Sequence, residues 1–140
     1  MSPKPALIAA GVVLAIIGIS AADVPDLVGT WTGTFEGYQN GMGYVARNET
    51  GIMILTISEQ TGRLFTGNLS LNVSSIPEDL GTRAEGFSGI IALDNKTLYI
   101  AEYDKGYDIG TIISNDTIEL NYLEDGENGC ALIDTFQRVR

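Results

Sequence analysis

Apolar and polar residues alternate in short runs along most of the chain. In the first run, residues 29–38, Trp31, Gly33 and Phe35 fall on one side and three threonines fall on the other. Because successive side chains of a β-strand point to opposite faces, this run predicts a strand with one buried face. Similar runs predict seven more strands, at residues 52–59, 63–73, 87–93, 97–103, 108–113, 117–124 and 130–139.

The number and spacing of these strands predict the fold class. Short strands at regular spacing, with turn residues between them, are typical of a β-sandwich or a β-barrel. An even number of antiparallel strands can close on itself, and closure removes the exposed edges that lead to aggregation. We therefore predict an all-β fold, an eight-stranded antiparallel up-and-down barrel over residues 28–140, preceded by a linker at 23–27 and an N-terminal hydrophobic helix.

The connections predict a barrel with two different ends, since alternate connections of an up-and-down meander lie at the same end. Tight turns share one end, which should be closed, at 60–62, 94–96 and 114–116. The other connections share the second end, which should form an open mouth, at 39–51, 74–86, 104–107 and 125–129. Trp31 and Arg138 both fall at the closed end, so we expect a cation–π contact between them.

The turn at 60–62 also predicts which side chains point inward. Gln-Thr-Gly fits a three-residue hairpin loop, whereas a two-residue loop would reverse one strand relative to the next. In the three-residue register the outward residues include Asn68 and Asn72. The predicted inward residues are Met53, Leu55, Ile57, Phe65, Gly67 and Leu69, then Phe87, Gly89, Ile91 and Leu93, then Ile118, Leu120 and Tyr122.

The N-terminus predicts export. Residues 6–22 form an uncharged, mostly apolar run that follows Lys4 and ends before Asp23. With small residues at 20–22, residues 1–22 are typical of a cleaved signal peptide. The run is also long enough for a retained membrane anchor, and in that case it would be the chain's only membrane contact. Either alternative places residues 23–140 outside the cytoplasm, because Lys4 keeps the short N-terminus inside.

Glycosylation sequons give a second, independent indication of export. Of the eight asparagines in the chain, five lie in Asn-x-Ser/Thr sequences. Such sequences accept N-linked glycans on the surface of exported proteins. The predicted N-glycosylation sites are Asn48, Asn68, Asn72, Asn95 and Asn115.

Composition argues against several classes of function. The chain has 18 acidic and 8 basic residues, a net charge of −10, so we do not expect nucleic acid as a partner. It has no histidine, which removes the Ser-His-Asp triad and the commonest metal ligand. The single cysteine, Cys130, cannot form an internal disulfide, and we expect a small packed residue there. We expect no catalysis, no cofactor and no metal.

Two short motifs resemble a known family. Gly29-x-Trp31 on the first strand, with Arg138 near the end of the last, resembles the signature shared by the calycins, which include lipocalins, fatty-acid-binding proteins and avidins. Residues 134–139 resemble the end of an avidin, and the chain also resembles uncharacterised exported proteins of methanogenic archaea. The resemblance implies a closed barrel in which Gly29, Trp31 and Arg138 are structural residues.

The avidin resemblance implies biotin binding only if the pocket residues also match. Asp134 stands where avidin-like proteins place an aspartate that meets the ureido group of biotin. Gly33 replaces a polar pocket residue, and Trp31 is the only tryptophan, so the stacked tryptophans that surround biotin are missing. We therefore do not expect biotin binding, and we expect Asp134 to face solvent or to anchor a turn.

The predicted mouth is rich in carboxylates, among them Glu102, Asp104, Asp108 and Asp125. Oxygen ligands of this kind suit hard cations, but no stretch matches the twelve-residue helical calcium loop. We expect these side chains to be solvated.

Two hypotheses for the function follow. The first is a non-catalytic extracellular or cell-surface module that acts through its outer face, its loops or assembly, with a second copy or an envelope protein as partner. The second is an extracytoplasmic barrel that binds a small apolar or cationic ligand at the mouth. Strand glycines would either leave a cavity or let bulky neighbours fill the barrel, and we favour filling. The candidate ligand-binding residues are Phe35, Tyr38, Tyr44, Tyr103 and Tyr122.

Overall fold

The computed structural model of the protein describes residues 23–49, 51–72 and 83–140. Within these ranges the chain forms nine β-strands. They are β1 (Gly29–Gln39), β2 (Gly43–Arg47), β3 (Met53–Thr61), β4 (Leu64–Leu71), β5 (Arg83–Ile91), β6 (Thr97–Glu102), β7 (Tyr107–Ser114), β8 (Thr117–Glu124) and β9 (Cys130–Arg138). The predicted N-terminal hydrophobic helix lies outside the described residues.

Backbone pairing closes the strands into an eight-stranded antiparallel barrel. Each strand from β3 to β8 pairs with the next, and β9 returns to pair with β1. The closing ladder runs from Trp31 opposite Arg138 to Gln39 opposite Cys130. This pairing confirms the predicted all-β class, the closure and the order of the eight main strands.

The predicted loop at 39–51 contains an additional strand, β2, so that prediction is wrong. The first part of β1 pairs with β3, from Gly29 to Gly33, while its second part pairs with β2, from Phe35 to Gln39. β1 is therefore long enough to pair with two strands, β3 and β2, along the same edge. The β1–β2 hairpin continues the barrel wall on the mouth side, and β2 adds no separate position around the barrel.

The β3–β4 hairpin differs from the predicted one in its turn. Thr61 pairs with Leu64, so the loop has two residues, and Gly62 takes φ 59° there. A register shift between Ile57 and Glu59 leaves Ser58 as an extra residue in β3. This β-bulge compensates for the shorter loop. The predicted inward residues of both strands accordingly still point inward, and Met53, Leu55, Ile57 and Phe65 are buried.

Phenyl rings packed over glycines fill the centre of the barrel. A Cβ placed on Gly33 would lie 2.5 Å from the ring of Phe136, and one on Gly89 would lie 2.2 Å from the ring of Phe65. The glycines therefore make room for bulky neighbours, as we favoured. Leu93 is a correction: β5 ends at Ile91, and the Leu93 side chain is 86% exposed.

The closed end contains the predicted cation–π contact. Arg138 Cζ lies 4.2 Å from the ring centroid of Trp31, which is fully buried. The indole Nε1 of Trp31 donates to the Leu27 carbonyl at 3.1 Å. Gly29 has φ 142°, and a Cβ there would lie 3.2 Å from Arg138 Nη1. The backbone conformation and the close approach of Arg138 both favour glycine at this position.

Candidate functional site

Two aspartates lie inside the open half of the barrel. Asp134 on β9 is paired with Phe35 of β1 and Leu120 of β8, and it is 2% exposed. Asp108 on β7 is 3% exposed. Both observations contradict the expectation that these side chains face solvent.

Strand alternation explains why these carboxyl groups point inward. Asp134 lies two residues from Phe136, and Phe136 is fully buried in the core. On β6, Glu102 follows Ile100 at the same two-residue spacing, and Ile100 is buried. Since alternate residues of a strand share one face, the inward direction of Phe136 and Ile100 also directs Asp134 and Glu102 inward. We call Glu102, Asp108 and Asp134 the interior carboxyl cluster.

Burial dominates the electrostatics of this cluster. It raises the pKa of Glu102 to about 9, with further increases from the charges of Asp108, Glu85 and Asp134. It raises the pKa of Asp108 to about 7, although a hydrogen bond with Glu102 lowers this value. Burial, and then the charge of Asp108, also raise the pKa of Asp134 well above its ordinary value. At neutral pH the cluster therefore retains protons, and Glu102 shares one with Asp108.

Two oxygens of the cluster lack partners. Among the described residues, no group forms a hydrogen bond with Oδ1 of Asp108 or with Oδ1 of Asp134, although both atoms are buried. A buried acceptor without a donor is costly, so such an atom is uncommon in a native protein. These two oxygens are the strongest indication of a binding site inside the described part of the barrel.

The rim above the cluster is held by hydrogen bonds. Glu85 Oε1 accepts the backbone N–H groups of Asp104 at 2.5 Å and Lys105 at 3.1 Å. The Tyr122 hydroxyl lies 2.8 Å from Glu124 Oε2 and 3.1 Å from the Lys105 carbonyl. Burial and the hydrogen bond with Glu124 raise the pKa of Tyr122. These contacts join the 103–106 turn to β5 and β8.

The five predicted ligand-binding residues do not come together. Phe35 packs against the core, and Tyr122 is half-buried beside Asp108 in the β7–β8 ladder. Tyr38 and Tyr44 are exposed and form an edge-to-face pair with centroids 5.6 Å apart. Tyr103 is 66% exposed, and its hydroxyl lies 2.6 Å from that of Ser88, on the outer side of β5. Only Phe35 and Tyr122 therefore lie near the interior carboxyl cluster.

The sequence carried a signal for the cluster that the prediction did not use. Phe136 and Leu120 are apolar residues of predicted strands, and Asp134 lies two positions from Phe136. Strict period-two counting from Phe136 would have placed Asp134 inside. The acidic character of the residue instead favoured an outward position, since carboxylates are rarely fully buried.

A second feature is an uncharged outer surface on β4–β7. A groove of about 700 Å³ crosses it, lined mainly by outward side chains such as Leu64, Ile90 and Tyr99, and also by Glu59 of the neighbouring strand β3. The outward positions of these four strands contain no Asp, Glu, Lys or Arg. We call this surface the β4–β7 outer face, and its exposed apolar residues are Leu64, Ile90, Tyr99, Tyr107 and Ile109.

Four of the five sequon asparagines are exposed, namely Asn48, Asn68, Asn72 and Asn115. Asn95 is half-buried in the turn after β5, where it takes φ 53°. Glycosylation of all five stays a prediction. Cys130 is half-buried, and burial raises its pKa to about 11, so it is a neutral thiol at pH 7.

Metal and membrane features can be stated only for the described ranges. Among residues 23–49, 51–72 and 83–140, His, Cys, Asp and Glu side chains form no group of three or more that could hold a metal ion. No helix in the same ranges is long and apolar enough to cross a membrane. The predicted anchor at residues 6–22 lies outside them.

Comparison with solved structures agrees with the barrel fold. A redesigned β-barrel matches with a TM-score of 0.55 and 16% identity, over 81% of this chain and 92% of the other. A de novo designed fluorescence-activating β-barrel matches with a TM-score of 0.51 and 16% identity, over 80% and 93%. An S-type phycobiliprotein lyase, CPES from Guillardia theta, matches with a TM-score of 0.49 and 8% identity, over 81% of this chain and 89% of the lyase.

The two designed barrels agree with the class that the strand pairing defines, a closed eight-stranded antiparallel β-barrel. The identities of the two designed barrels are low, so the likeness concerns the fold alone. No protein-family model matches the chain, and no curated protein matches it.

Proposed function

We propose that the chain is an exported, calycin-like surface module without catalytic function, which self-assembles through the β4–β7 outer face. The observation that carries this proposal is the absence of charged side chains from the outward positions of β4–β7. The partner is a second copy of the same chain.

Charge supports this choice of surface. At a net charge of −10, two copies repel each other over most of their surface. Contact is easiest where like charges are fewest, and the outward positions of β4–β7 carry none. By contrast, Glu36 lies on the outer side of β1 and Glu119 on that of β8.

The composition and shape of the face also support self-assembly. Exposed apolar patches commonly mark interaction sites, and tyrosine is enriched in protein interfaces. Tyr99 and Tyr107 line the groove, with 49% and 52% of their surfaces exposed. A two-fold axis would bring the groove and its tyrosines against the same surface of the second copy, because a two-fold interface uses the same patch twice.

Sedimentation velocity of the full chain over a range of concentrations tests the proposal. We expect a monomer–dimer equilibrium that Ile90→Lys weakens by at least about tenfold, because it introduces a charge into the interface. Ile133→Lys is a matched control: Ile133 is 44% exposed and Ile90 is 46% exposed, but Ile133 lies on β9. A monomer at every concentration, or equal effects of both variants, would contradict self-assembly through this face.

Export is tested separately. Intact mass spectrometry of the native mature protein would show its first residue and any glycans on the predicted sequons. We expect a chain that has lost residues 1–22, or a retained chain from the membrane fraction, carrying N-linked glycans. Because Asn68 lies at an outward position of β4, a glycan on Asn68 would block the proposed interface and would contradict self-assembly through it. An unmodified protein beginning at Met1 in the cytoplasm would contradict export but would leave the self-assembly proposal standing.

A further inference from the structure

We propose that the open half of the barrel binds a small primary ammonium ion, with Asp134 and Asp108 as its principal acceptors and Glu102 beside them. This binding site lies on the inward side of the strands, and Asp108 is also among the residues that line the groove of the β4–β7 outer face.

The first argument is hydrogen bonding. Asp134 and Asp108 are 2% and 3% exposed, and each has a buried Oδ1 that no described residue contacts as a donor. An ammonium group carries three N–H donors and no acceptor, which suits a site that offers unpartnered carboxyl oxygens. An apolar ligand would leave both oxygens unsatisfied, so an apolar ligand is disfavoured.

The second argument is the sign of the charge. Of the described basic side chains, Arg63, Lys96, Arg138 and Arg140 lie at the closed end of the barrel. At the open end, Lys105 Nζ lies 3.9 Å from Glu124, and Arg47 donates to the Ala46 carbonyl. The basic side chains that the structure describes therefore form no ion pair with the cluster, and a cation from outside would compensate the negative charge that forms when the cluster loses its protons.

The third argument distinguishes an organic cation from a metal ion. The described His, Cys, Asp and Glu side chains form no group that could hold a metal ion. Apolar and aromatic groups adjoin the carboxyls instead: Phe35 and Leu120 are the cross-strand partners of Asp134, and Tyr122 is that of Asp108. Such a lining suits a cation with a short alkyl chain, since aromatic rings attract cations and apolar surface accommodates the chain.

The route to the site follows from the two ends of the barrel. At the closed end, Trp31 is fully buried and Arg138 covers its ring, so that end is sealed. The cluster lies towards the mouth, because Asp134 pairs with Phe35, four residues further along β1 than Trp31. A ligand would therefore enter from the open end of the barrel. On binding, the carboxyls would release protons to the solvent, and the ammonium nitrogen would take their place as hydrogen-bond donor.

Isothermal titration of the full chain with n-butylammonium chloride tests the inference. We expect saturable binding at one site, with proton release measured from buffers of different ionisation enthalpy. Asp134→Asn should weaken binding by at least about tenfold, the loss expected for one charge-assisted hydrogen bond. Asp125→Asn, on an exposed mouth loop, is the matched control and should bind as the unchanged protein does.

Three further titrations define the results that would overturn the inference. 1-Butanol has a similar shape without the charge, and equal affinity for it would overturn the inference. Tetramethylammonium has the charge without N–H donors, and tight binding of it would show that hydrogen bonding is not the basis. Calcium chloride that binds through Asp134, with no binding of butylammonium, would assign a metal site instead. Circular dichroism of Asp134→Asn verifies that the variant is folded.

Discussion

At the closed end of the barrel, buried and half-buried polar groups have protein partners. The Arg138 guanidinium donates to the carbonyls of Val28 at 2.8 Å, Asp26 at 2.7 Å and Asn115 at 3.1 Å. In the open half, Asp108 and Asp134 are as deeply buried as the core, yet each retains an oxygen without a partner among the described residues. Buried polar groups therefore have hydrogen-bond partners at the closed end, whereas two buried carboxyl oxygens in the open half have none among the described residues.

The contrast shows which end stabilises the fold and which end could perform a function. A satisfied network at the closed end lowers the free energy of the folded state, since every donor and acceptor that leaves water is paired again. Unsatisfied carboxyls in the open half raise it. A natural sequence keeps such a cost mainly at functional sites, which is why we place the binding site there.

The largest expected effect is the removal of the closed-end tryptophan. Trp31→Ala should lower the free energy of unfolding by about 3–5 kcal/mol, because it leaves a large cavity in the core. Tyr38→Ala, an aromatic deletion on the same strand at the open end, should cost only about 1 kcal/mol, since Tyr38 is 69% exposed. Urea denaturation measures both. Similar losses would show that the two ends contribute equally to stability.

Substitution of the closed-end arginine, Arg138, should cause a smaller loss in the free energy of unfolding. Arg138→Met should cost about 2–3 kcal/mol, since it removes hydrogen bonds to three carbonyls and the contact with Trp31. Arg140→Met is the control, because the Arg140 side chain is 82% exposed and its ion pair with Asp116 should contribute less than about 1 kcal/mol. Urea denaturation of both variants measures the two losses in the free energy of unfolding. If Arg140→Met were as destabilising as Arg138→Met, the closed-end network would not be the cause.

The smallest expected change in stability is a gain instead of a loss, and its size depends on pH. Unfolded aspartates and glutamates lose their protons near pH 4. The folded cluster retains them because burial raises the pKa of Asp108 to about 7 and that of Glu102 to about 9. Folding therefore binds protons, and stability should fall as the pH rises from about 4 to about 9. Asp134→Asn should reduce this slope and, at high pH, stabilise the protein by about 1–2 kcal/mol.

An aspartate at the closed end gives the matching control. Hydrogen bonds from the Thr97 side chain and backbone, and from the Lys96 backbone, lower the pKa of Asp94 to about 2. This carboxylate contributes stability above the unfolded pKa, and that stability is lost as the pH falls through about 2. Asp94→Asn should therefore destabilise the protein at pH 8, whereas Asp134→Asn should stabilise it. Thermal melting of both variants at several pH values compares the signs, and equal signs would refute the contrast between the two ends.

Much of the fold could be predicted from alternation and turn residues. The eight main strands, their order and the contact of Trp31 with Arg138 follow from counting short apolar runs and alternate connections. The β2 strand could not be predicted in this way, because five residues between glycine-rich segments give too short a pattern. The bulge at Ser58 was also hidden, since a two-residue loop with a bulge orients the strands as a three-residue loop would.

The candidate site was harder to predict than the fold. Of the five candidate ligand-binding residues, Phe35 and Tyr122 lie near the cluster, whereas Tyr38, Tyr44 and Tyr103 are on the outer surface. An aromatic residue near a mouth loop can take either face, and the register of its neighbours decides between them. The Tyr103 hydroxyl, for example, reaches Ser88 on the outer side of β5.

The sequence alone determined the class of fold and the closed end, because strand period and tight turns are properties of local pattern, and the alternation of connections places Trp31 and Arg138 at the same end. Only the tertiary structure placed Asp108 and Asp134 inside the barrel without partners for their Oδ1 atoms. That outcome depends on which strands become neighbours once β9 meets β1, and on which donors those neighbours bring. Local pattern fixes the direction of a side chain along its strand, whereas burial and hydrogen bonding are decided by residues far apart in the chain.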